Sequence, residues 1–109
     1  MQTAAQVDDR VFTALADPSR RAIFESLTRG EAAVKELTAR FAISQPAVSQ
    51  HLATLRAAGL VHGRREGRSV YYRVAPGGLR PLVDWITQYR AFWTDSLERL
   101  ERLLEKMDP

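Results

Sequence analysis

Three features of the 109-residue sequence predict a mostly α-helical chain carrying one small β-hairpin. Apolar residues keep helical spacing through Leu55, and β-branched and aromatic runs replace them between Leu60 and Ala75. Helical spacing then resumes from Leu79 to Met107. Gly59 and Pro76-Gly77-Gly78 stand at the two changes of period, where backbone breakers are expected. The length suits one domain with a real core, so 1–109 is expected to form a single unit.

The first helix is expected from Val7 to Leu15, with Val7, Val11, Phe12 and Leu15 on its apolar side. Asp17-Pro18 starts the second. The aspartate can cap free amides, and proline at the first helical position has no amide to leave unsatisfied. This helix buries Ile23, Phe24 and Leu27 and runs towards Gly30. A third helix from about Ala33 to Arg40 turns Val34, Leu37 and Phe41 inward, and Phe41-Ala-Ile43 makes a tight connection. Ser44 then caps a fourth helix reaching Ala58 and stopping at Gly59. Two short helices joined so closely suit a helix-turn-helix.

Leu60–Arg65 and Ser69–Ala75 flank Glu66-Gly67-Arg68, where Gly67 can take positive φ. They are expected to form a two-stranded ribbon with a basic tip. A helix-turn-helix followed by such a ribbon is a winged helix-turn-helix, here with about five helices. From Leu79 to Met107 one continuous helix is expected, because Pro81 is tolerable in a first turn and no later Gly or Pro interrupts. Leu82, Ile86, Tyr89, Trp93, Leu97, Leu100, Leu104 and Met107 make its apolar stripe. At ~1.5 Å per residue it would be roughly 43 Å long, more than a small domain can cover. The last helix is therefore expected to pack its first turns on the core and to find cover for the rest of its stripe on a partner chain. Trp85, Tyr89, Phe92 and Trp93 suit dimer packing or the wall of a small apolar pocket equally well.

Composition narrows the chemistry. Cysteine is absent, which removes disulfides, thiolate metal sites and cysteine nucleophiles. His51 and His62 are the only imidazoles. No apolar run approaches the ~18 residues of a membrane span, and the N-terminus lacks the pattern of a secretory signal, so a cytoplasmic location is expected. No cofactor is expected either. Ser49 and His51 lie two apart on a helix and point apart, and no phosphate-cradling loop or paired catalytic carboxylates can be placed, so enzymatic activity is not expected.

The net charge of +3 is unevenly spread. Residues 1–55 are neutral overall and 74–109 carry −1, whereas 56–73 carry +4 from Arg56, Arg64, Arg65, Arg68 and Arg73 against Glu66. A basic window directly after a helix-turn-helix points to a polyanion. The fourth helix agrees. With Val48 at zero on a helical wheel, Leu52 and Leu55 fall within about 40° of it. Pro46, Ser49, Gln50, Ala53 and Thr54 occupy the opposing half, and Gln45 lies on the first turn. Amides and hydroxyls can read base edges, and small residues allow close approach to them. His51, on the flank, is expected to be packed or hydrogen-bonded.

Leu15-Ala-Asp-Pro-Ser-Arg-Arg-Ala-Ile-Phe-Glu-Ser-Leu27, Ser44-Gln-Pro-Ala-Val-Ser-Gln-His-Leu52, Leu55-Arg-Ala-Ala-Gly-Leu-Val61 and Arg64-Arg-Glu-Gly-Arg-Ser-Val-Tyr-Tyr72 together resemble the ArsR family of bacterial winged-helix repressors. Trp85…Tyr89-Arg-Ala-Phe-Trp93 looks like the branch that senses no metal. The resemblance implies a homodimer built from the first and last helices, 1–16 and 79–107, that binds double-stranded DNA at an inverted-repeat operator. It implies base and phosphate contacts by Ser44, Gln45, Ser49 and Gln50, and wing contacts by Arg64, Arg65 and Arg68. Tyr72 looks like a buried wing anchor. Metal-sensing members carry a Cys-x-Cys pair where this chain has Val34-Lys-Glu-Leu37, so metal sensing is not expected. The competing reading is a winged-helix interaction module that no longer binds DNA.

Overall fold

The computed structural model describes residues 9–107, which form six helices and a three-stranded antiparallel sheet. Helix α1 spans Asp9–Ala16, α2 Pro18–Leu27, α3 Val34–Phe41 and α4 Gln45–Ala57. Strand β1 spans Ala32–Ala33, β2 Val61–Glu66 and β3 Ser69–Val74, and helices α5 (Arg80–Gln88) and α6 (Arg90–Met107) follow. Val7 and Asp8, expected at the start of the first helix, lie with the rest of 1–8 outside the described residues.

Local chemistry sets the corners. Asp17 takes an extended conformation and its carboxylate accepts the Arg20 amide at 2.9 Å, which caps α2 ahead of Pro18. Arg20 and Arg21 reach back to the end of α1, donating to the carbonyls of Ala14 (3.3 Å) and Leu15 (2.8 Å). Cations there satisfy terminal carbonyls and complement the helix dipole. Between α3 and α4, Ala42 takes φ 55° and ψ 36°, the left-handed conformation that turns the chain sharply. Ser44 Oγ accepts the Ala47 amide at 3.2 Å and starts α4. At the other end Gly59 (φ 78°) donates to Arg56 O and Leu60 donates to Leu55 O, both at 2.9 Å, a Schellman closure.

The core lies where α1 to α4 meet the base of the sheet. Val11, Ile23, Leu37, Val48, Leu52, Leu55 and Leu60 are fully buried, and Val34, Phe41, Ile43, Tyr72 and Leu82 pack around them. Tyr72 lies half-buried across Gly63, its opposite in the ribbon. A Cβ at Gly63 would come within 2.9 Å of its ring.

Two expectations need correction. The sheet has a third strand: Ala32 pairs with Tyr72 and Ala33 with Tyr71, on the edge of β3 away from β2. Two alanines carry no strand signal; the open edge of β3 recruits them. The last helix is also not continuous. Tyr89 leaves helical geometry (φ −106°, ψ 9°) and divides it into α5 and α6. The first piece is held to the body, where Trp85 meets Phe12 edge-on at 6.0 Å and Tyr89 at 5.2 Å. The second projects. The radius of gyration is 18.4 Å, against about 13 Å for a compact chain of this length. Phe92, Trp93, Leu97, Leu100, Leu103, Leu104 and Met107 are all exposed, from 49% to 69%.

Two stability outcomes follow. A Cβ at Gly78 would collide with the Gly59 carbonyl and approach Leu60 Cα to 2.9 Å, both backbone groups of the α4–β2 corner. Gly78→Ala is expected to cost about 1–3 kcal/mol in denaturant unfolding. The Asp17 carboxyl titrates below its ordinary 3.8, chiefly because the Arg20 amide donates to its charged form. Its contribution to stability is therefore complete above that value and disappears as pH falls through the lower folded-state value. Asn also caps helices but does not titrate. The stability of wild type relative to Asp17→Asn should be constant above about pH 5 and fall below it; a difference that stays flat through acid would remove the cap's role.

Candidate nucleic-acid interface

Burial determines which way α4 faces. With Val48, Leu52 and Leu55 at 0% exposure, Ser44, Gln45, Ser49 and Gln50 are all left exposed, together with Pro46 and Ala53. Gln45 and Ser49, one turn apart, share one flank, whereas Gln50 points with Pro46 and Ala53 straight away from the core. Ser44 spends an acceptor lone pair on the helix cap, and its hydroxyl hydrogen stays available. Thr54 departs from its expected place. It is half-buried, donates to the Gln50 carbonyl at 3.2 Å, and lines a cavity of about 210 Å³ against α1.

His51 is half-buried on the flank, close enough to Asp17 to favour that carboxylate's charge. Its Nδ1 is buried and has no hydrogen-bond partner among the described residues. The histidine is packed, as expected, but that nitrogen is not hydrogen-bonded.

The ribbon divides the three wing arginines. Cross-strand partners share a face, so Arg65 sits with Val70, Gly63 with Tyr72, and Val61 with Val74, on the side that covers the core. Arg64 sits with Tyr71 on the other side. There its Nη2 and Nε donate to the two oxygens of Glu31 at 2.7 and 3.1 Å, and its Nη1 donates to Glu66 at 3.1 Å. The guanidinium also lies 4.8 Å from the centre of the Tyr71 ring. These hydrogen bonds, Glu31's first, raise the Arg64 pKa above its ordinary value, and the same contact lowers that of Glu31. Arg65 and Arg68 have no ion pair among the described residues. Glu31 is 33 residues from Arg64, so no local pattern marks the pair.

Two open clefts flank the wing. One, of about 190 Å³, brings together Gln45 and Ser49 of α4, Arg68 and Ser69 of β3 and its turn, and Lys35 of α3. The other, of about 340 Å³, brings Arg56 at the end of α4 to Arg64 and Arg65. Ser44 and Gln50 border neither. The structure thus assembles polar and basic groups from α3, α4 and both strands of the wing around two clefts that share Tyr72 in their walls. Such a surface can hydrogen-bond base edges from a helix while cations hold the flanking phosphates. Among the described residues, no three His, Asp or Glu side chains lie close enough together to hold a metal ion, and no helix is long and apolar enough to cross a membrane.

Comparison with known proteins gives a consistent result. The family model for bacterial regulatory proteins of the arsR family matches residues 17–62, which run from the α2 cap to the start of the wing. The chain is 43% identical over 97 residues to the HTH-type transcriptional regulator Rv2034 of Mycobacterium tuberculosis, covering 89% of this chain and 88% of that protein. It is 31% identical over 81 residues to the transcriptional repressor SdpR of Bacillus subtilis, covering 74% and 90%. Among solved structures, the ArsR family transcriptional regulator RHA00566 superposes with a TM-score of 0.72 at 29% identity, covering 79% of this chain and 94% of that one. These relatives are regulators, not enzymes. With its helix-turn-helix, wing and basic clefts, the chain belongs to the arsR family of DNA-binding bacterial transcriptional regulators.

Proposed function

We propose that the protein is a homodimeric repressor that occupies an inverted-repeat operator and excludes polymerase, without sensing metal. The convergence of Gln45, Ser49 and Arg68 on one cleft carries this reading. It lets a single docking pose engage helix and wing together. Gln50, on the outermost line of α4, reads base edges, and Gln45 and Ser49 contact bases or phosphates beside it. Ser44 donates to a phosphate at the helix N-terminus, where the dipole favours an anion. Arg65 and Arg68 are the wing cations that form no ion pair among the described residues. Arg64 joins them only by exchanging a carboxylate for a phosphate, so its contribution is smaller.

Residues 79–107, together with the N-terminal 16, supply the dimer contact. Supporting this, α6 exposes an apolar stripe from Phe92 to Met107 that no described part of the chain covers. Exposed apolar surface of that extent marks an interface. A two-fold pair sets recognition helices about 34 Å apart, one turn of duplex. Release by metal is disfavoured by the donor set itself: there is no thiolate anywhere in the sequence, and there are only two imidazoles, one of them packed on α4. The protein is expected to act in the cytoplasm, where its DNA is.

Selection of bound duplexes from a random pool tests the reading, and an inverted repeat is expected. Gln50→Ala should cost about 1–3 kcal/mol on the selected site and little on random duplex. Arg65→Ala should weaken both alike and make the salt dependence shallower by about one unit per protomer. Uniform losses in both variants would refute the division into reading and clamping. Leu97→Glu combined with Leu104→Glu should halve the mass seen by light scattering and abolish tight operator binding; a wild-type monomer that still binds the selected site would overturn the two-fold arrangement.

A further inference from the structure

We infer that Lys35 is a phosphate-binding residue. With Arg68 and Ser69 it forms a pinch that straddles one backbone phosphate of the duplex beside the recognition helix. This deepens the DNA-binding reading and rests on it. Lys35 lies in the neutral half of the sequence, away from the arginine window, and would not be counted as part of a basic patch. The fold moves it there. Pairing of Ala33 with Tyr71 ties the start of α3 to the edge of β3, two residues from Ser69. Lys35, in the first turn of α3, thereby lines the 190 Å³ cleft together with Arg68 and Ser69 of the wing and Gln45 and Ser49 of α4.

Two observations give the lysine a purpose other than structure. It is exposed and forms no ion pair among the described residues, although Glu31 and Glu36 are near it in sequence. Glu31 is taken by Arg64, and Glu36 is turned back to accept the Ala33 amide at 2.8 Å. It is also placed against its helix. A cation in a first turn meets the positive end of the dipole and the free amides, which disfavours it locally. A local conflict of that kind is expected at functional positions. Two cations lining one open cleft together with a serine, neither paired to a carboxylate among the described residues, suit the monoanionic oxygens of a phosphodiester. Gln45 and Ser49 in the same walls make that oxyanion the phosphate next to the bases being read.

The test uses Lys35→Gln, Lys35→Glu and Lys35→Arg in the full chain, with affinity measured against salt on the selected operator and on random duplex. Lys35→Gln should weaken both duplexes by the same factor. It should also make the slope of log affinity against log salt shallower by about two per dimer, one phosphate per protomer. Lys35→Arg should restore the wild-type slope. Lys35→Glu should bind DNA worse still while melting at the same temperature as wild type or higher, since an anion suits that helix position. Opposite signs for binding and stability separate a DNA contact from a folding defect. An unchanged slope in Lys35→Gln, with the wild type binding normally, overturns the inference and leaves the DNA-binding reading intact. A wild type that binds no duplex overturns both. Inorganic phosphate should compete no better than chloride at equal ionic strength; competition by phosphate that vanishes in Lys35→Gln would instead make a free oxyanion the occupant and overturn the backbone assignment.

Discussion

The orientation of α4 depends on three side chains. Val48, Leu52 and Leu55 are withdrawn completely from water, and burying a side chain of this kind is worth about 1.5–3 kcal/mol relative to leaving it exposed. Rotating the helix by one residue would expose them and bury glutamine or serine in their place. The uncharged outer face is therefore held at a fixed angle by the core, not by its own contacts. The Schellman closure at Gly59 extends that constraint forward, since it delivers the chain into β2 in one bend. Tyr72, seated over Gly63, then presses the ribbon onto the same core. Helix and wing are registered to each other because both are registered to one set of buried residues.

Charge is distributed on this frame with a division of labour that composition conceals. Arg20 and Arg21 close α1, and Arg64 ties the ribbon to Glu31 at the end of the α2–β1 connection. The pair is exposed, and exposed ion pairs contribute little to stability. Its bidentate geometry and the Tyr71 ring beneath the guanidinium serve instead to fix where the ribbon leans. Arg65, Arg68 and Lys35 stay unpaired among the described residues. A cation already matched to a carboxylate gives up that partner to meet a phosphate. An unmatched one loses only solvent and counterions, and so contributes more to binding.

Legibility in the sequence followed the range of the interactions. The α2 start, the helix-turn-helix and the ribbon turn were readable because Asp17-Pro18, Ser44, Gly59 and Gly67 act on their own backbone neighbours. The buried stripe of α4 was readable from its period. Strand β1 was not, because two alanines acquire strand geometry only from the free edge of β3. The break at Tyr89 was not, because no Gly or Pro accompanies it. Continuity of the stripe from Leu82 to Met107 is compatible with one helix or two. The clefts were legible only in part. Gln45, Ser49 and Arg68 could be named as separate contacts, but their convergence, and the presence of Lys35 among them, arises from pairing across the sheet.

The same pairing explains why an apparently trivial strand matters to the surface above it. Without Ala32 and Ala33 on the edge of β3, α3 would still cover the core through Leu37, but its first turn would have no fixed distance from the wing. With them, α3, α4 and β3 meet around one opening, and each contributes a different chemistry: an ammonium, an amide with a hydroxyl, and a guanidinium. Small residues suit the edge because the backbone makes the contact: a bulky side chain at Ala32 would have to enter the packed core, and one at Ala33 would enter the cleft beside Lys35. The strand is short because its work is finished in two residues: it spans the gap between α2 and α3 and aims the next turn of helix at the wing.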